Sequence, residues 1–155
     1  MEPLERFVFT ELPDQSVIEI AASLNTEGTM QQRGDYCYLN IDDGFIHQIH
    51  PLLAHYERIE KPDYFNDPNP IGAHISVIYP EEMVRVLPSQ LDGIHRFSVS
   101  GLMKAQYGTK DYFMLSVIAP SLSAFRQLQY LSSRPIWKRQ EIMFHITVGV
   151  RDNSV

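Results

Sequence analysis

The chain has 155 residues, 44 % of them hydrophobic and 21 % charged, which is typical of one globular domain with its own core. No apolar run approaches the roughly 18–20 residues that cross a bilayer, and the acidic N-terminus does not resemble a signal peptide. We therefore expect residues 1–155 to form a single cytoplasmic domain with no membrane partner. The net charge of −6 argues against a protein that holds long nucleic acid.

Taken in chain order, the first predicted element is a helix from about Asp14 to Leu24. Pro13 and Asp14 supply a start signal, and the apolar residues that follow recur with helical spacing. Residues 1–34 are otherwise expected to be an N-terminal extension. Further along, the segment from Lys61 to Gly72 is rich in Pro, Asn and Asp, which predicts a surface loop.

The rest of the chain predicts the order strand, helix, strand twice, over residues 35–80 and 111–151. Each copy begins Asp-Tyr-x-x-Leu and ends His-Ile-(Ser/Thr)-Val. An ancient duplication is one hypothesis, and chance similarity of two such units is the alternative. Ser121 is expected to cap the second helix. The six expected elements are strand Asp35–Leu39, helix Asp43–Tyr56, strand His74–Tyr79, strand Asp111–Leu115, a helix through Leu131, and strand Met143–Val150.

The two closing strands each carry a histidine two positions before a hydroxyl. Side chains in a strand alternate between its faces, so each imidazole shares a face with that hydroxyl while the apolar residues go to the core. The expected core faces are Ile75, Val77 and Tyr79 in the first strand and Phe144, Ile146, Val148 and Val150 in the second. The opposite faces are His74, Ser76 and Ile78, and His145, Thr147 and Gly149.

These paired motifs, His74-Ile75-Ser76-Val77 and His145-Ile146-Thr147-Val148, resemble the His-x-Thr/Ser signature of the two-histidine (2H) phosphoesterase superfamily. The resemblance covers about residues 35–151. It implies an α+β fold of two pseudo-symmetric lobes, each an antiparallel sheet with helix, around a central cleft. It also implies an RNA ligase-like or cyclic phosphodiesterase in which His74 and His145 are catalytic. Some members carry an arginine after the second motif, and Arg151 is the candidate here.

The chemistry explains the residue types. Cleavage of a phosphodiester needs a proton taken from the attacking oxygen and one given to the leaving oxygen, and two imidazoles with ordinary pKa values near 6.5 do both. Ser76 and Thr147 would donate hydrogen bonds to the phosphoryl oxygens. We therefore expect a metal-independent enzyme without cofactor, acting as a monomer on a small nucleotide or an RNA terminus. The linkage stays open between 2′,3′-cyclic, 2′,5′ and cyclic oligonucleotide.

Substrate contacts are open to two interpretations. Tyr36, Tyr38 and Tyr112 share the faces that would adjoin the motif strands, where they would stack on a base, or they are tyrosines on a half-buried sheet. The basic segment near Trp137 would reach a phosphate or is a solvated loop. Its cations are Arg134, Lys138 and Arg139.

Three alternatives compete with this interpretation. One is a metal site formed by the helical pair His47 and His50, with help from Asp42, Asp43 or His55. A second is a nucleophile at Cys37, the only cysteine. The third is a binding module that holds a nucleotide or RNA end in the same cleft without cleaving it.

Overall fold

The computed structural model describes residues 5–53, 59–62 and 71–154. They form a mixed α+β structure of two antiparallel four-stranded sheets and one small hairpin. Within these ranges no helix is long and apolar enough to cross a membrane. The strands are β1 (Val8–Glu11), β2 (Glu27–Arg33), β3 (Tyr36–Asn40), β4 (His74–Ile78), β5 (Ile94–Arg96), β6 (Ser98–Tyr107), β7 (Lys110–Ile118), β8 (Ile136–Trp137), β9 (Gln140–Glu141) and β10 (His145–Asp152).

The two sheets have matching architectures. The order is β4-β3-β2-β5 in one and β10-β7-β6-β1 in the other, so that each motif strand is an edge strand beside a hairpin. The two edge strands, β4 and β10, also pack against one another. Each half therefore contains a hairpin, a helical connection and a motif strand, which agrees with the expected two-lobed fold.

The helices cross between the two halves. Four helices are described: α1 (Gln15–Ala22), α2 (Gly44–His47), α3 (Ile49–Leu52) and α4 (Pro120–Leu128). The connection of the first half, α2 and α3, packs on β10 of the second, and α4 of the second half packs on β4 and β5 of the first. One continuous apolar core lies between these elements.

Several sequence expectations need correction here. The predicted helix over 43–56 is two single turns, because Pro51 cannot donate to the carbonyl four residues earlier; residues 54–58, like most of the Pro-rich loop, lie outside the described ranges. Ser121 is not a cap, since Pro120 takes the first helical position and Ala119 precedes it. Residues 5–34 supply β1 and β2 as well as the expected helix.

Both motif strands contain a β-bulge at the valine that ends the motif. In β4, Ser76 pairs with Tyr38 and Ile78 with Cys37, so that Val77 has no partner. In β10, Thr147 pairs with Met114 and Gly149 with Phe113, so that Val148 has none. An extra residue reverses the alternation of faces beyond it. The expected faces therefore hold through Val77 and Val148, which lie in the core. They are wrong after these two valines, where Ile78 packs in the core and Val150 lines the cleft.

A buried ion pair fixes the first bulge. Arg126 on α4 donates to both carboxylate oxygens of Glu82, at 2.9 and 2.6 Å, and to the carbonyl of Val77 at 2.8 Å. The same Glu82 accepts the backbone N–H of Tyr79 at 2.9 Å. The pair thus binds the carbonyl of the bulged Val77 and the N–H of Tyr79 just after the strand, as buried polar groups require.

We expect Arg126→Met to lower the free energy of unfolding by about 3–5 kcal/mol, because it leaves the Glu82 carboxylate buried without its partner. The two side chains are 0 % and 3 % exposed. The matched control is Arg96→Met, which removes an ion pair with Glu27 whose side chains are 83 % and 41 % exposed. That variant should lose less than about 1 kcal/mol. Urea unfolding of both variants measures the difference, and equal losses would contradict the structural role of Arg126.

Candidate active site

The two motifs meet in one cleft of about 230 Å³ between the sheets. Both histidines and both hydroxyl residues line it, together with Tyr36 and Tyr112 from the adjoining strands. Five further lining residues were not predicted as part of a site. Those residues are Pro62, Tyr79, Lys110, Trp137 and Val150.

The two imidazoles are oriented in the same way. The Nδ1 of His74 lies 2.9 Å from the carbonyl of Gly72, and the Nδ1 of His145 lies 3.1 Å from the carbonyl of Met143. A carbonyl oxygen only accepts, so each Nδ1 carries the hydrogen and donates it. In the neutral rings the lone pair therefore resides on Nε2. Each motif thus holds its histidine in the tautomer that a general base needs.

Burial favours the neutral form of both rings. The pKa of His145 is lowered from 6.5 to about 4, chiefly by desolvation, and its hydrogen bond to Met143 acts in the opposite direction. The proximity of His74 lowers the pKa of His145 further. Desolvation also lowers the pKa of His74. Two cations in one cleft are unfavourable until an anion enters it.

The loop before the first motif is held by a carboxylate. Asp43 accepts the backbone N–H of Ala73 at 2.8 Å. This hydrogen bond fixes the Gly72–Ala73 peptide group, whose carbonyl binds His74. Gly72 has φ of +79°, and a Cβ there would lie 2.6 Å from Oδ1 of Asp43. The position therefore needs glycine both for its backbone conformation and for the close approach.

Two phenols add hydrogen-bond donors beside the first hydroxyl. The Tyr36 hydroxyl lies 2.5 Å from Oγ of Ser76, and the ring of Tyr79 lies 6.0 Å from that of Tyr36. Burial raises the pKa of both phenols, so that they stay protonated. Tyr79 was expected in the core, and the bulge at Val77 instead brings it to the cleft.

An aromatic wall faces the second motif. Trp137 lies against His145, with ring centroids 6.0 Å apart and planes inclined by 23°. Trp137 also stacks on Tyr79, 5.5 Å away, and meets Tyr112 edge-on at 5.4 Å. Rings from both halves of the protein therefore enclose the cleft, and Lys110 adds a cation to its lining.

Two predicted substrate contacts do not line the cleft. Tyr38 is 1 % exposed and lies edge-on to His74 at 5.6 Å, with its hydroxyl donating to Gln31. Arg151 comes after the bulge at Val148, which turns it to the other face. There it donates to Asp111 through Nε and Nη2, at 3.0 and 2.6 Å. The guanidinium of Arg151 is therefore held in an ion pair outside the cleft lining.

The Asp111 carboxyl that Arg151 binds is buried and ionised. Burial alone would raise its pKa, but hydrogen bonds from Asn153 and Arg151, with the charge of Arg151, outweigh that effect and lower the pKa. Val150 rather than Arg151 reaches the cleft, and its backbone pairs with Glu60 in both directions, at 2.8 and 2.9 Å.

The alternatives to a two-histidine site have no support in this geometry. The described residues contain no cluster of three potential metal ligands. His50 instead contacts the carbonyl of Ile59 through Nε2 at 3.0 Å, and His55 lies outside the described ranges. Cys37 is fully buried, and burial raises the pKa of its thiol to about 12, so that a thiolate is not available at neutral pH.

Comparison with known proteins assigns the family. The family model for the Swiss Army Knife (2H-SAK) 2H phosphoesterase domain matches residues 37–155, which include both motifs and every strand from β4 onward. The chain belongs to the 2H phosphoesterase superfamily. No curated protein and no solved structure matches it.

Membership in the 2H phosphoesterases accounts for the paired motifs and for phosphodiesterase-type chemistry in general. Tyr79 and Val150 follow the two bulges, which periodicity does not predict. The lone Trp137 stood in the basic segment that sequence analysis singled out, yet its contact with His145 depends on a two-residue hairpin turn. Nothing in the sequence marked Lys110 as a lining residue of the cleft except its place before Asp111.

The lowered pKa of His145 predicts how stability depends on pH. An unfolded imidazole takes up its proton near pH 6.5, whereas the folded one does so only near pH 4. The free energy of unfolding should therefore fall as the pH is lowered from about 6.5 to about 4. His145→Asn should flatten this decline in urea unfolding measured at several pH values. Parallel curves for the variant and the wild type would contradict the assigned environment of His145.

Proposed function

We propose that this 2H phosphoesterase cleaves a ribose-linked phosphodiester by general acid–base catalysis, with His74 and His145 as the two proton-transfer groups and without a metal. The observation that carries the proposal is that both imidazoles line one cleft in the same tautomer, each held through Nδ1 by the carbonyl two residues earlier. The substrate is a small nucleotide or an RNA terminus with a 2′,3′-cyclic, a 2′,5′-linked or a cyclic oligonucleotide phosphodiester.

In the proposed reaction, one neutral imidazole takes the proton of the attacking hydroxyl or water at Nε2. The other imidazole, protonated, gives its proton to the leaving oxygen, so that the charge on the pair is unchanged after the step. The hydroxyls of Ser76 and Thr147 donate to the non-bridging phosphoryl oxygens from either side. Tyr36 and Tyr79, kept protonated by burial, form hydrogen bonds with Ser76.

Binding of the substrate favours protonation of one imidazole. Burial favours two neutral rings, and a phosphate anion favours an imidazolium beside it. The acid form of the pair therefore arises together with the bound phosphate. Tyr112 and Trp137 offer apolar ring faces on which a nucleobase would stack.

Single substitutions test the assignment of roles. Under a strong chelator, His74→Ala and His145→Ala should each lower kcat/KM on a panel of cyclic and 2′,5′-linked nucleotides by about 10²–10⁴-fold or more. Ser76→Ala and Thr147→Ala remove one donor each and should cost about 10–10³-fold.

The control variant is His95→Ala. His95 lies outside the cleft lining and contacts Ser121, so that activity should be unchanged. Activity that disappears with the chelator would contradict the metal-free mechanism. Binding of a nucleotide without product across the pH range would instead indicate a non-catalytic binding module.

The pH dependence of turnover follows from the two lowered pKa values. A bell-shaped kcat/KM profile reports the free enzyme, so its maximum should lie below pH 6.5. The kcat profile reports the enzyme–substrate complex, in which the phosphate raises both imidazole pKa values, and its maximum should lie at higher pH. Initial rates at saturating and at low substrate concentration separate the two profiles. Coincident maxima would contradict the coupling of protonation to binding.

A further inference from the structure

A second pocket, of about 300 Å³, adjoins the catalytic cleft and is rich in cations. Its lining includes Arg6, Lys138 and Arg139 and one carboxylate, that of Glu5. In the part of the chain that the structure describes, none of the three cationic side chains makes an ion pair. A concave surface with a net positive lining attracts an anion.

The turn that carries two of these cations adopts an unfavourable backbone. Trp137 pairs with Gln140 across a two-residue hairpin turn, in which Lys138 has φ of 51° and Arg139 has φ of 65°. Turns of this geometry favour Asn and Gly, since other residues are strained at positive φ. Two long cationic side chains therefore stand where local conformation alone would select against them.

A carboxylate from the other half of the protein holds this turn. The backbone N–H of Lys138 donates to Glu81 at 2.6 Å, and that of Arg139 donates to the same carboxylate at 3.0 Å. Glu81 belongs to the 3₁₀ turn that directly follows the first motif strand. The turn is thus fixed relative to both motifs, and Glu81 acts on its backbone rather than on its two cationic groups.

The pocket begins where the cleft ends. Trp137 lines the cleft and Lys138, the next residue, lines the pocket. Nζ of Lys138 lies 5.9 Å from the Trp137 ring centroid, which in turn lies 6.0 Å from that of His145. Those two distances end to end are the upper limit on the separation of the ammonium from the imidazole ring. Two neighbouring phosphates of one nucleotide chain, each in contact with its own group, fit within this limit.

We propose that this pocket is a second phosphate subsite, formed by Arg6, Lys138 and Arg139, and that the substrate is an oligonucleotide rather than a mononucleotide or a cyclic phosphate of a metabolite. The inference rests on the proposed function, since it places the scissile phosphate between His74 and His145. A guanidinium binds phosphate through two parallel hydrogen bonds, and the lysine adds a point charge. The subsite thus selects substrates with a second phosphate.

The double variant Lys138→Ala/Arg139→Ala tests the subsite. Two substrates are compared, adenosine 2′,3′-cyclic phosphate and a diadenylate that ends in the same cyclic phosphate. The wild type should prefer the diadenylate in kcat/KM, and the double variant should lose about tenfold on the diadenylate alone, since charge-assisted hydrogen bonds to one phosphate are lost. The preference of the wild type should also shrink as salt is raised.

The matched control is Arg134→Ala, which removes the same charge from the same segment. Arg134 lines a different pocket, with Ala119 and Phe144, so kcat/KM should be unchanged on both substrates. An equal loss on the two substrates in the double variant, or a loss in the control alone, would overturn the subsite.

A binding measurement separates this inference from the proposed function. Calorimetry compares a 5′-phosphorylated diadenylate with its unphosphorylated form, on the wild type and on the double variant. Tighter binding of the phosphorylated form by the wild type alone supports the subsite, even if no substrate is cleaved and the proposed function fails. Equal affinities for the two forms would overturn the subsite, even if cleavage occurs.

Discussion

One extra residue in each motif strand decides which side chains reach the cleft. Before Val77 and Val148 the strands alternate as their sequence predicts, and each presents an imidazole and a hydroxyl on the same side. After the bulges the faces reverse, which brings Tyr79 to the cleft and turns Arg151 away from it. The carbonyl of Val77 at the first bulge and the N–H of Tyr79 after it are bound by the Arg126–Glu82 pair. The geometry of the site therefore depends on how the protein satisfies these bulges.

Much of the fold follows from periodicity in the sequence, and the exceptions have physical causes. The motif strands, their partner strands and the helices α1 and α4 were predicted because apolar residues recur in them with a clear period. Strand β2, Glu27–Arg33, was missed because it contains little besides polar residues, and its place depends on pairing with β3. The bulges were missed because an unpaired valine looks like any strand valine. Tyr38 and Arg151 do not line the cleft for related reasons, since burial and register are tertiary properties.

The environment of the two histidines connects structure with the proposed chemistry. Burial makes each ring a weak base, and the proximity of His74 weakens His145 further. A substrate phosphate reverses this balance because it replaces lost water with a negative charge. Protonation then accompanies binding, so that the same two rings tolerate burial in the resting protein and supply an acid and a base when a phosphodiester is present. The neutral phenols beside Ser76 can remain donors throughout.

Histidine side-chain NMR will show whether His74 and His145 bind one phosphate between them. The ¹⁵N signals of both imidazoles are followed during pH titrations with and without adenosine 2′-monophosphate, a product-like ligand. If both rings contact the phosphate, the ligand raises the pKa of both imidazoles together. The titration curve of His95 should be the same with and without the ligand. A shift in only one of the two cleft histidines, or in neither, would contradict contact of both rings with the phosphate.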